Sequence, residues 1–257
     1  MTITTSGMAL AALLLIVPIY IMWAFRIRLT RQFANALVAL IVKLGIIGGA
    51  LYAVTASDSW WVSIGFALLF MLYAAAIATL KARIKFRSYF LPVLAGTLSA
   101  VTLTTLCLLF LNLQLSGSAA LKCVVPIAGL LTGGIVRTEA KAMAVYCMGL
   151  RHHNRLYYYL LGNGAKHSEA LHYLMRRALE QSLLPSLSQM STLLISTAPV
   201  VMWTMMLCGE SVVTAVALQL LLLLATMSAS VLAVAVSIAM ARHYSLDEYG
   251  RIKGETK

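Results

Sequence analysis

Residues Val212–Met240, VVTAVALQLLLLLATMSASVLAVAVSIAM, contain no Asp, Glu, Lys or Arg. A helix crosses a bilayer with about 20 apolar residues, so this stretch reads as a membrane span with residues to spare. Working outward, the chain divides into further apolar runs wherever a charged or turn-forming segment intervenes. They are Gly7–Phe25, Phe33–Val54, Trp60–Leu80, Phe90–Leu113, Lys122 to about Leu150, and Leu184–Cys208. The expected fold is all-α: a single polytopic membrane domain over residues 1–257 with about seven transmembrane helices.

Composition agrees. Of 257 residues, 61% are hydrophobic and 11% charged, and the mean hydropathy is +0.89. A soluble domain carries about 25% charged and 45–50% apolar residues, so an ordinary water-soluble globule is excluded. Cys107, Cys123, Cys147 and Cys208 lie singly in apolar runs, without the spacing of a zinc site or a disulfide framework. They read as small buried hydrophobes.

Met1–Leu10 has no basic residue ahead of its apolar run, where a secretory signal would carry one. The first run is therefore expected to stay in place, with Arg26, Arg28 and Arg31 following it on the inside. Seven spans with the N-terminus outside put the C-terminus inside. That topology gathers Lys81, Arg83, Lys85, Arg87, Arg137, Lys141, Arg151, Arg155, Lys166, Arg176, Arg177, Arg242, Arg251, Lys253 and Lys257 on the same side as the first Arg cluster. Asp58 and Glu210 fall outside, Lys122 at the outer edge and Lys43 within the second span.

This one-sided cation bias accounts for the net charge of +12 through orientation and anionic headgroups. Nucleic-acid binding is not needed to explain it. Trp60 and Trp61, with Trp23 and Phe25, fit interfacial belts.

The stretch Lys122–Pro185 is the least ordinary. It begins as a span, becomes charged at Arg137, Glu139 and Lys141 while keeping helical composition, and passes through Arg151-His152-His153-Asn154-Arg155. A helix of that length, at about 1.5 Å per residue, is expected to project beyond the hydrocarbon. A break at Gly162-Asn163-Gly164, a short amphipathic segment Ala165–Leu174, and Pro185 as a helix start or kink follow. A coupling helix seated on an ATPase needs such a turn, yet a helical loop lying on the headgroups shows the same mixture and on this feature alone fits slightly better.

The ordered set Val125-Pro126-Ile127-Ala128-Gly129-Leu130-Leu131-Thr132-Gly133, then Leu161, Gly164-Ala165, Glu169-Ala170, Arg176, Leu184-Pro185, Pro199, Gly209 and Gln219, resembles the permease subunit of the iron-export-type ABC transporter family (UPF0014-like). Lys43-Leu44, Gly48 and Leu51 resemble its second span, so the likeness runs from about Lys43 to Met240. The resemblance implies a homodimer of permeases on two P-loop ABC ATPase subunits in the cell's inner (plasma) membrane. It implies a cytoplasmic coupling segment at about 151–180, with Gly164, Ala165, Glu169, Ala170 and Arg176 as coupling residues. It further implies ATP and Mg on the partner, no cofactor in this chain, and movement, as export, of a metal ion such as iron or another small solute.

The chain departs from the family pattern in four places. Gly133-Gly134 replaces Gly-Asn, Ala198-Pro199-Val200-Val201-Met202 replaces Leu-Pro-Gly-Met-Met, Lys43 replaces Gln, and Ser211-Val212 replaces Asp-Pro. Independently of the resemblance, no G-x-x-x-x-G-K-[ST] loop is present, so a partner is expected to hydrolyse ATP. Glu169 could accept hydrogen bonds from that partner, with Ala165 and Ala170 leaving room for close seating, or it could be a solvated helix residue.

Lys43, Gly129, Gly133, Met202 and Gln219 are the candidate pathway residues. An ammonium within a span costs about 2.5–3.5 kcal/mol on insertion scales. Lys43 could therefore face an anionic solute or a carboxylate, or equally hold packing with a polar partner. Gly45 with Gly49, and Gly129 with Gly133, have the small-xxx-small spacing of close helix contacts, within the subunit or across a dimer. Met190, Met202, Met205 and Met206 include soft ligands, but flexible core filling explains them more simply.

No metal ligand set is identifiable, since His167 and His172 are five apart. No catalytic constellation stands out, so the chain itself is not read as an enzyme. Two functions stand: an ABC permease, or a non-transporting membrane scaffold or assembly subunit.

Overall fold

The computed structural model describes residues 20, 24–25, 30–57, 59–113, 117–152, 154–164, 167–191 and 200–245. The first expected span, Gly7–Phe25, lies almost wholly outside the described residues, as does the middle of the sixth, with Pro199. Among the described residues there is no strand. The helices are α1 (Thr30–Ser57), α2 (Trp60–Lys81), α3 (Phe86–Leu106, continuing as a π-helix over Cys107–Asn112), α4 (Gly117–His152), α5 (Asn154–Gly162), α6 (His167–Ser191), α7 (Val200–Leu207) and α8 (Val212–Ser245).

Five of these segments are long and apolar enough to cross a membrane: Arg31–Ser57, Trp60–Lys81, Phe86–Phe110, Lys122–Arg151 and Val212–Tyr244. They coincide with the second, third, fourth, fifth and seventh runs, and make the chain a multi-pass membrane protein. The chain separates into two compact units, residues 1–56 and 57–257. In the first, α1 carries Val38, Leu40, Ile41, Leu44 and Ile46 exposed.

In the second unit α8 packs on α3 and α4, α2 packs on α3 and α4, and α6 packs on α4 and α8. The buried faces of α2, α3 and α8 are mostly small residues. On α2 they are Ser63, Ala67, Met71, Ala74, Ala75 and Ala78. On α3 they are Gly96, Thr97, Ala100, Val101 and Thr104, and on α8 Ala229, Ser230, Ala233, Ser237 and Ala241. Leu68, Leu69, Leu72, Leu103, Leu106, Leu220 and Leu224 point outward. Hydrocarbon solvates leucine as well as a protein core does, so close backbone approach rather than leucine burial drives this association. Thr79, Thr97 and Thr104 satisfy their buried hydroxyls on the carbonyls of Ala75, Val93 and Ala100 one turn back.

Several local expectations change. α6 does not start at Pro185; it runs from His167 to Ser191 with Pro185 inside it. Proline also sits inside α3 (Pro92) and α4 (Pro126), tolerable where neighbouring helices and side chains satisfy the freed backbone. α4 continues as one helix through the segment where it becomes charged. At about 100° per residue, Arg137 and Lys141 share a face and are exposed, while Glu139 between them points inward. Of the cysteines only Cys147 is buried; Cys107 and Cys208 are exposed, because apolar positions on a span face outward as readily as inward.

Candidate functional site

The coupling candidates lie on a turn of two helices below α4. α5 ends at Gly162, and the chain reverses through Asn163 and Gly164, whose φ of +86° favours glycine. Asn163 N–H donates to the Tyr159 carbonyl at 3.1 Å, and Gly164 N–H to the Leu161 carbonyl at 3.0 Å, closing the helix end. Ala165 lies outside the described residues, and Ala170 is described only as part of the helix backbone. Glu169 is exposed in the first turn of α6, where the helix dipole favours an acid. Arg176 Nε donates to Glu180 Oε1 at 2.7 Å on the exposed face, which keeps the guanidinium even more firmly protonated.

The inner face of α6 ties this turn to the bundle. Leu171, Leu174 and Ala178 are buried in one cluster with Met143, Tyr146 and Leu150 of α4, Tyr157 of α5, and Val234 and Ile238 of α8. Gly149 makes the approach possible, since a Cβ there would come within 3.0 Å of Leu174. Tyr157 is fully buried, which pushes its phenol above the ordinary value, and the neighbouring Tyr158 phenol adds to this.

The pathway candidates fall in both units. Lys43 is exposed on α1. Gly133 is exposed, and a Cβ at Gly45, Gly49, Gly129 or Gly133 would meet nothing within 4 Å. Within its own unit, each of these glycines therefore has open space beside it among the described residues. Met202 and Gln219 are brought together: the Met202 N–H donates to Gln219 Oε1 at 3.3 Å, joining α7 to α8. Between them Gly209, at φ +92°, makes the turn. Ser211 then caps α8 by accepting the Thr214 N–H at 3.2 Å, so a capping side chain is kept where the family pattern carries Asp.

The polar site that sequence reasoning missed is Glu139. It is completely buried, and Ser237 Oγ of α8 donates to its Oε1 at 2.8 Å. Among the described residues its Oε2 is buried without a hydrogen-bond partner. Gly96 of α3 closes the third side. A Cβ there would collide with Ser237 Oγ, and would stand 2.5 Å from the Ala233 carbonyl oxygen and 3.0 Å from Glu139 Oε1. This contact lies at a seam between two apolar clusters. One includes Ala100, Ile135 and Ala233 and the other Val93, Ala140 and Val234. A signal existed: an acid two residues from each of two cations must lie on the opposite helix face. Among the described residues no three His, Cys, Asp or Glu side chains converge as a metal site.

A family model described as "Uncharacterised protein family (UPF0014)" matches residues 5–245. The chain belongs to the UPF0014 family. UPF0014 proteins are ABC-transporter-like permease subunits, so the UPF0014 match spans both the apolar helices and the α5–α6 turn. Neither curated proteins nor solved structures return a match.

Proposed function

We propose that this chain is the membrane-spanning permease subunit of an ABC transporter. In this reading it crosses the cell's inner membrane seven times, with the N-terminus outside and the C-terminus inside. A homodimer of the chain couples ATP hydrolysis on two P-loop ATPase subunits, which bind ATP and Mg, to export of a metal ion such as iron or another small solute.

One observation carries the coupling: α6 holds Glu169 exposed in its first turn while its inner face is packed on α4 and α8. A force applied at that turn reaches two membrane helices through buried side chains, which a loop resting on headgroups would not achieve. Family membership supports the transporter architecture. The face of α4 with Gly133 exposed and Gly129 half-buried supplies a surface on which a second copy can approach closely. A partner shifts the inward–outward equilibrium only by its differential affinity for the two states, so the ATPase must grip α6 more tightly in one of them.

The test is purification in mild detergent from the native host with copy-number mass spectrometry. A P-loop ATPase at equal copy number is expected, and Glu169→Arg should reduce it while membrane insertion stays normal. Repeated absence of the ATPase from intact protein would put the scaffold reading first. Unchanged co-purification of the variant would remove Glu169 from the docking surface.

A further inference from the structure

A carboxyl group inside a membrane bundle requires something that offsets its charge. Glu139 has one donor, Ser237 Oγ, and among the described residues no cation pairs with it. The charged and titratable groups of the surrounding helices lie elsewhere. On α4, Arg137 and Lys141 are exposed on the far face, and Tyr146 is buried two turns away. On α3, Arg87 is exposed and Tyr89 half-buried, both two turns or more before Gly96. On α8, Arg242 and Tyr244 are half-buried and His243 exposed, all beyond Ser237. On α2, Tyr73 and Lys81 are exposed. On α5, Tyr157 is buried and Tyr158 and Tyr159 exposed; on α6, Glu169, His172, Tyr173, Arg176 and Glu180 are exposed and Arg177 half-buried.

The neighbours of the site decide what can neutralise it. Gly96 leaves no room for even a methyl group between α3 and the Glu139–Ser237 pair. Among the described residues no group of three His, Cys, Asp or Glu side chains gathers at Glu139 to hold a metal ion, whereas a proton needs only the carboxyl itself. Ser237 Oγ–H already occupies Oε1, and among the described residues the oxygen left to carry a proton is Oε2.

We propose that Glu139 is a proton-binding site of the bundle, carrying its proton on Oε2 while α3, α4 and α8 are packed together and releasing it to water when they part. Release breaks the O–H bond, leaves the electron pair on the carboxylate, and forms hydronium. The site sits at the seam between two apolar clusters. A motion that slides one cluster against the other therefore wets this carboxyl before it opens either core. The inference stands without a partner ATPase.

The experiment is infrared spectroscopy of the purified full chain in lipid nanodiscs, comparing wild type with Glu139→Gln at neutral pH. Water-exposed carboxylates are ionised there. Wild type is expected to show the C=O stretching band of a protonated carboxyl, and Glu139→Gln to lack it. Wild type without that band overturns the proposal, as does a band that persists in Glu139→Gln. Ser237→Ala provides a second reading should the first variant fail to fold. Removing the donor to Oε1 is expected to leave the band and move it to higher frequency, and an unmoved band would mean another carboxyl produces it.

Discussion

The backbone amide of Met202 and the side chain of Gln219, seventeen positions apart, form a 3.3 Å hydrogen bond that ties the first turn of α7 to α8. The first four amides of a helix have no partner within it. Gln219 satisfies one of them inside an apolar hairpin. Both are candidate pathway residues, and this bond joins them.

Gln219→Leu removes that acceptor while keeping an apolar surface. A lost hydrogen bond of this kind costs about 0.5–1.5 kcal/mol. The variant is therefore expected to insert normally and to unfold earlier on heating in detergent by about that amount. Unchanged thermal unfolding would show that the α7 amide finds another acceptor.

Gly96→Ala is expected to be far more damaging than its size indicates. The added methyl would meet the Ala233 backbone carbonyl, which cannot move as a side-chain tip can. Overpacking of this kind costs about 1–3 kcal/mol. Gly65→Ala on α2, where a Cβ meets nothing within 4 Å, is expected to be neutral or to stabilise by up to about 1 kcal/mol through helix propensity. Parallel thermal unfolding of the two variants checks the contrast; equal effects would mean that α3 and α8 are not held this close.

Tyr157 gives the α5–α6 turn an alkaline limit. Burial raises its phenol above the unfolded-state value, so the stability it contributes is fully present below about pH 10 and is lost as pH rises through the folded-state value. Amide protection across residues 154–178, with the intrinsic rise of exchange with pH divided out, is expected to fall in that alkaline window. Tyr157→Phe, which cannot ionise, should flatten the fall, and an equal loss of protection in the variant would place its origin elsewhere.

The α5–α6 turn shows where the reading of residues stopped short. Gly162-Asn163-Gly164 announced a helix end, and the left-handed Gly164 makes one. Pro185, however, sits inside α6, because proline signals a break only while the backbone depends on its own helix for hydrogen bonds. Glu169 on the exposed turn was legible as an interaction residue. The face of α6 that meets α4 was not, since it depends on Gly149 and Leu174 lying opposite one another.

Sequence by itself determined which segments are apolar enough to enter a membrane and that they are helical, since a backbone in hydrocarbon must satisfy its own hydrogen bonds. It could not determine which face of each helix turns inward. In a soluble helix the apolar stripe points to the core, but in Val212–Met240 nearly every position is apolar and there is no stripe to read. Tertiary structure decided that Ala233 and Ser237 face in while Leu220 and Leu224 face out. It placed Gly96 against them and set the carboxyl of Glu139 in the seam. The physical reason is that lipid rewards small residues at helix contacts for the close backbone approach they permit, and closeness is a property of two helices together.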